Sequence, residues 1–345
     1  MGRTERLHLI KKIEELRGSR VICYLTSDRP NAGAEIQKDA MPFFYEQLRQ
    51  MSNPKKIDVL IFTHGGDVLA GFGLARLLRE FSIDIGTLIP EKCWSSGTLF
   101  ALGANQIVMT KGATLSPIDP SLTGPLNPFM ELSPGQRQIV PLSVESVAGF
   151  NSLVTNDWGL KGEEALTVAV RLLAERVHPM ALGDLYRARQ QIELLASRLL
   201  RRHRSDEDTI QRIVRTLTKD LGSHDYLISR TEARELLGTQ IAPDDAVLED
   251  AVWDLYRDFC EEMELGKLYD PNMVLHANGS GPGTAPSPVQ VLQKSAIIES
   301  AAGSHVAERE LKVSLVPVMV PAGIPAQPSR VQQEVVRIEW KFYTS

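Results

Sequence analysis

The chain has 345 residues but only three cysteines, Cys23, Cys93 and Cys260. They are far apart and odd in number, which argues against a disulfide framework or a zinc cluster and suits a reducing compartment. Basic excess is missing too: 38 Lys and Arg face 43 Asp and Glu, for a formal net charge of −5. Little is left to track a phosphate backbone, so nucleic acid is not an expected partner. Long apolar runs are also lacking. The opening Met1-Gly-Arg-Thr-Glu-Arg-Leu-His is broken up by charge, with neither a signal-peptide core nor a membrane-spanning stretch. Arg6 stands where a myristoylation signal on Gly2 would carry Ser or Thr. A cytoplasmic protein without membrane insertion is the expectation. No internal repeat is visible, and His8, His178, His203, His276 and His305 show no metal-ligand spacing. Neither a metal nor another cofactor is expected.

What is present is ordinary for a soluble globular protein: 43% hydrophobic and 23% charged residues. The length fits one large domain with additions, or two domains. Residues 20–27, 57–63, 85–90 and 106–110 are β-branched apolar runs of strand length. Between them, 41–51 and 68–81 carry apolar residues at helical spacing, and 96–104 reads as a short buried helix. Strands alternating with helices predict an α/β fold around a mostly parallel sheet covered on both faces. Residues 161–220, rich in Leu, Arg, Glu and Ala, predict two or three long helices. A charged turn at 201–208 separates two of them, with Ser205 and the acids after it suited to a helix start. Residues 270–289 are rich in Gly, Pro, Ser and Asn and read as a linker. The pattern predicts one domain over 1–265, a linker over 266–290 and a small β-rich antiparallel extension over 291–345.

Two strand-to-helix passages carry chemistry. In Ile61-Phe-Thr-His-Gly-Gly-Asp-Val-Leu-Ala-Gly71, tandem glycines let two main-chain N–H groups face a cavity with no Cβ in the way. In Leu88-Ile-Pro-Glu-Lys-Cys-Trp-Ser-Ser-Gly-Thr-Leu-Phe100, Ser95 sits at the turn with its hydroxyl exposed. The N–H of Ser96 then lies at the positive end of a helix, where it can stabilise an oxyanion. Either motif alone is more often a plain turn or an N-cap; their order and separation in a βαβ pattern single them out.

With these residues the chain resembles the Clp-fold serine peptidases, and among them the serine dehydrogenase proteinase family, relatives of signal peptide peptidase A. Phe62-Thr-His-Gly-Gly-Asp-Val-Leu-Ala-Gly71 is similar to the family's oxyanion segment, and Ser95-Ser-Gly-Thr98 to its Ser-Ala-Gly-Thr nucleophile turn. Leu115-Ser-Pro-Ile-Asp-Pro-Ser-Leu122 is similar to its Gly-Pro-Val-Asp-Pro-Gln signature. Residues 223–238, from Ser223-His-Asp-Tyr onward, resemble the segment carrying the third catalytic position of Clp proteases, and residues 178–187 also have a family look. The resemblance spans roughly residues 15–260. It implies a Clp/crotonase-like fold of repeated ββα units. It also implies a serine peptidase acting on unfolded or extended peptides, assembled as a trimer, hexamer or ring through the helices of 163–220.

In this register Ser95 is the nucleophile, and the oxyanion donors are the main-chain N–H groups of Gly66, Gly65 and Ser96. The base does not follow from this register, because the chain departs from both known arrangements. The position of the Clp histidine falls at Asp119, and the position of the dyad lysine falls near Leu142–Ser143, where there is no lysine. His224 is the chosen base, with Asp119 or Asp225 orienting it. His64, where relatives carry proline, is a further candidate, weighed against packing or a substrate contact. Lys92, Lys111 and Lys161 are alternative bases, weighed against a reading as solvated surface lysines, and Cys93 reads as a residue packed beneath the turn. Two other classes stay open: a crotonase-type acyl-coenzyme A enzyme using the same paired N–H groups, and a scaffold subunit that has lost its base.

Overall fold

The apolar runs of the first half fold as read. A computed structural model describes residues 2–118, 121–133, 136–277, 287–317 and 329–344. In chain order it begins with α1 (Arg3–Arg17), β1 (Arg20–Thr26), α2 (Ala40–Gln50), β2 (Lys56–Phe62) and α3 (Val68–Arg79). It continues with β3 (Asp84–Ile89), β4 (Lys92–Cys93), α4 (Ser96–Leu102) and β5 (Gln106–Met109). Strands β1, β2, β3 and β5 pair in parallel. Both faces are covered, so β1 and β2 are buried almost from end to end. On one face Ile22, Val59 and Ile61 pack with Phe44 of α2, Leu74 of α3 and Phe100 of α4. On the other, Val21, Leu60 and Phe62 meet Ile10 and Ile13 of α1. Asp58 is fully buried on that second face because Arg17, at the end of α1, grips both its oxygens at 2.9 and 3.0 Å.

After β5 come β6 (Thr114–Leu115), β7 (Ser121–Leu122), β8 (Phe129–Ser133), β9 (Gln136–Ile139) and β10 (Leu142–Ser143). The helices α5 (Val144–Ser152), α6 (Glu163–Arg176), α7 (Pro179–Leu200) and α8 (Glu207–Arg215) follow. Three of these fill the stretch read as long helices. The start of α8 differs from expectation: Asp206, not Ser205, holds the N-cap position, and its carboxylate accepts the Thr209 hydroxyl. Next are β11 (Ile228–Ser229), α9 (Arg230–Leu237), α10 (Ala246–Met263) and α11 (Pro271–Ala277). The short β11 completes a three-stranded sheet in the order β11-β6-β4. Helix α10 joins α1 on the second face through Leu255 and Phe259.

The chain ends in β12 (Val289–Ser300), β13 (Gly303–Pro317) and β14 (Ser329–Tyr343). These are antiparallel, as read, but they do not stand apart. β12 pairs with the free edge of β1, giving one seven-stranded sheet in the order β14-β13-β12-β1-β2-β3-β5. The buried pair Ile297 and Ile298 supplies apolar cover to both faces at once. Arg6 fixes the junction: its guanidinium, 2% exposed, donates to Glu299 of β12 and Asp258 of α10, and also pairs with Glu262. Of the span read as a linker, Pro271–Ala277 is helical, and 278–286 lies outside the described residues. Among the described residues no helix is long and apolar enough to cross a membrane.

Candidate active site

Two turns meet at the C-terminal ends of β2 and β3, where parallel α/β sheets place their sites. They are stitched together by main-chain bonds: Thr63 N–H donates to the Lys92 carbonyl at 3.0 Å, and Trp94 N–H to the Thr63 carbonyl at 3.1 Å. This pairing sets Ser95 beside the glycine pair. Ser95 has φ 52° and ψ −116°, a conformation a side chain rarely adopts. Such a residue costs about 1–3 kcal/mol and persists only where its surroundings over-determine it. Here they do. The Ser95 N–H donates to Ser116 Oγ at 2.7 Å, and Leu99 N–H donates to the Ser95 carbonyl at 3.1 Å. Ser116 is fixed in turn, its N–H bonded to Thr98 Oγ1 at 3.1 Å, while the Thr98 hydroxyl donates to the Cys93 carbonyl at 2.9 Å. Cys93 is fully buried under this turn, and burial pushes its thiol far above the usual range.

Gly65 and Gly66 have φ of 109° and 137°. A Cβ on Gly65 would lie 2.7 Å from Ser95 Cβ and 3.2 Å from Ser95 Oγ, so only glycine fits beneath the elbow. The Gly65 N–H points inward, to Thr63 Oγ1 at 3.0 Å. Of the three expected oxyanion donors, Gly66 and Ser96 are the two whose N–H groups have no acceptor among the described residues. The Ser95 hydroxyl, half-buried, likewise bonds to no described residue. Helix α3 starts on Asp67, whose Oδ1 accepts from Ala70 N–H at 2.9 Å, and Gly71 lets it approach Ser96 closely.

His64 projects beside this turn. Its ring stacks on Trp94 at 4.8 Å between centroids, and Nε2 lies 3.6 Å from Asp28 Oδ2. Lys92 Nζ donates to the same oxygen at 2.7 Å and lies 3.4 Å from Glu91, whose other oxygen accepts the Tyr256 hydroxyl. Burial pushes the Asp28 carboxyl up, but its contacts with His64 and Lys92 outweigh it and hold it below its ordinary value. Burial likewise pulls Lys92 down, and Asp28 and Glu91 raise it above its ordinary value. Lys92 is therefore no solvated lysine, being 22% exposed and ion-paired, whereas Lys111 and Lys161 are exposed as read.

His224 lies on the exposed turn 223–227 that leads into β11. Because β11 pairs with β6 and β6 with β4, that turn leads into the same small sheet whose β4 runs into Ser95. Asp225 is exposed on the same turn, its N–H bonded to Ser223 Oγ at 3.3 Å. Asp119 lies outside the described residues. Sequence reasoning missed Asp28, Ser116 and Glu91, because each meets the site only through strand pairing.

A mixed α/β sheet whose strand ends hold a strained serine turn against a glycine pair is consistent with a ClpP-like fold. Residues 2–130 match the family described as ClpP-like SDH-type serine proteinase, so the resemblance drawn from the sequence holds over that stretch. Two uncharacterized proteins of Methanocaldococcus jannaschii are also similar. One is 32% identical over 124 residues, covering 34% of this chain and 42% of the relative. The other is 28% identical over 189 residues, covering 55% and 54%. The chain thus spans about half the length of these curated relatives. Among solved structures, a mutant of the 1510-N membrane-bound stomatin-specific protease aligns at 14% identity. Its TM-score is 0.34, over 66% of this chain and 82% of that one, a likeness too slight to bear on function.

Proposed function

We propose that the chain is a serine peptidase that cleaves unfolded or extended peptides through an acyl-enzyme on Ser95. The observation that carries this reading is the Ser95 backbone, held at φ 52°, with its hydroxyl and the N–H groups of Gly66 and Ser96 lacking hydrogen-bond partners among the described residues. Ser95 Oγ attacks the scissile carbonyl, and its proton passes to a base. The oxyanion forms against Gly66 and Ser96, each donor contributing about 3–4 kcal/mol to the transition state. The base then gives its proton to the leaving amine, and water releases the acyl group by the same steps.

His224 is the base in this reading, oriented by Asp119 or Asp225, and its support is the β11-β6-β4 pairing. A second arrangement gives the role to His64 with Asp28, favoured by their 3.6 Å contact next to the elbow. A crotonase-type repeat of ββα units and a homo-oligomeric ring belong to the same reading. The support for assembly is α6, which has no buried residue and exposes Val168, Val170 and Leu172.

Hydrolysis of a chromogenic acyl ester tests the reading. A burst of one equivalent per subunit is expected, absent in Ser95→Ala. His224→Ala should slow the burst about 10²–10⁴-fold; if His64→Ala does so instead, the base is His64. Acyl-coenzyme A turnover that survives Ser95→Ala would favour the crotonase class. The absence of any burst would favour a scaffold.

A further inference from the structure

The large sheet has two edges, and they differ. At β5 the edge is capped: Ile107 bridges Ile241, and the Ile107 carbonyl accepts the Ala242 N–H at 2.8 Å. On the outer side of β14, no strand or bridge pairs among the described residues. Alternate main-chain N–H and C=O groups of such a strand point outward and can take up another strand. Exposed apolar side chains gather here as well: Val335, Val336, Ile338, Phe342 and Tyr343. The strand is also held ready. Trp340 stacks on Phe43 of α2 at 4.7 Å, and its Nε1 donates to Asp39 at 2.9 Å. Lys341 Nζ lies 2.6 Å from Glu308. A strand already fixed in its extended form loses little freedom on pairing.

Register limits what can pair with it. A bulge opposite Glu310 and Leu311 leaves Val336 without a partner on β13, so the regular stretch runs from Arg337 to Tyr343. Within it Ile338, Trp340 and Phe342 share one face, and Arg337, Glu339, Lys341 and Tyr343 the other. Charge alternates in sign from Arg337 through Glu339 to Lys341. An antiparallel copy of the strand, related by a two-fold axis at Trp340, sets each Glu339 opposite the other copy's Lys341. The same register sets each Ile338 opposite Phe342 and each Arg337 opposite Tyr343. Moving the axis one residue either way opposes Glu339 to itself or Lys341 to itself. Moving it to Ile338 runs the pairing into the bulge.

We infer that a second copy of this chain pairs with β14, joining the two large sheets into one about an axis at Trp340. Because β5 is capped, this pairing closes at two copies and does not propagate. The interface is separate from α6, and it does not depend on the role of Ser95.

Sedimentation velocity over a concentration series tests it, with circular dichroism confirming that each variant is folded. Ile338 is 61% exposed, so Ile338→Lys disturbs the single chain little, yet it sets a charge against Phe342 twice in the pair. At high concentration the wild type should show twice the mass of Ile338→Lys, since α6 contributes equally to both. Glu339→Lys and Lys341→Glu each bring like charges together at two points and should raise the dissociation constant about tenfold or more. Mixed in equal amounts, these two variants should regain the wild-type mass, because opposite charges meet again in the mixed pair. Equal masses for the wild type and Ile338→Lys would overturn the inference. So would folded charge variants that pair as tightly as the wild type, or that fail to reassociate on mixing.

Discussion

The main-chain N–H of Ser95 donates to the hydroxyl of Ser116 at 2.7 Å, across 21 residues of chain. That bond holds the one side chain of the elbow whose backbone is strained, so in the proposed reading Ser116 positions Ser95 and does not bind substrate. Ser116→Ala should lower kcat for the ester about tenfold at unchanged KM, from the loss of about 1–1.5 kcal/mol of support. Steady-state kinetics checks this; a raised KM with full kcat would assign Ser116 to binding instead.

Gly65→Ala places a methyl group against Ser95 in a backbone region that side chains avoid. The expected outcome is a fall of about 1–3 kcal/mol in stability and loss of ester turnover in the molecules that remain folded. Urea unfolding, paired with activity per folded molecule, separates the two effects.

The Asp28–Lys92 pair makes stability depend on pH at both ends. The folded Asp28 carboxyl sits below its ordinary value, about 3.9 in an unfolded chain. Its contribution is therefore complete above that value and is lost as pH falls through the folded value. Lys92 sits above its ordinary value, about 10.4, so its contribution is complete below that and is lost as pH rises through the folded one. Asp28→Asn should lower stability at pH 7 by about 1–3 kcal/mol and flatten both limbs. Unfolding midpoints of the two proteins from pH 3 to 11 check it; parallel curves would remove the pair from the account.

Arg17 and Asp58 join α1 to β2 far from the chemistry. Arg17→Met leaves Asp58 buried without its cation and should cost about 3–5 kcal/mol. Denaturant unfolding should show the loss, while ester kinetics of the folded fraction stay as in the wild type.

The parallel half of the fold was legible because each strand is a local apolar run and each helix a local period. The serine turn and glycine pair were legible for the same reason, each being a short passage from strand to helix. Contacts between distant segments were not. Asp28, His64 and Lys92 meet only because each lies just beyond or at the end of a neighbouring strand, and no spacing in the chain encodes that. The tail reads as β from its alternation, yet its union with β1 depends on a free edge and on Arg6 meeting Glu299, 293 residues away. Lys92 looks like a surface lysine until Asp28 is placed 2.7 Å from it.

The most direct test of the central claim is covalent labelling by a fluorophosphonate, with the adduct mapped by mass spectrometry of the digested protein. Modification at Ser95, abolished in Ser95→Ala and slowed in Gly65→Ala, is the predicted result. A native, folded protein that reacts at no serine, or at one outside residues 94–98, would contradict it.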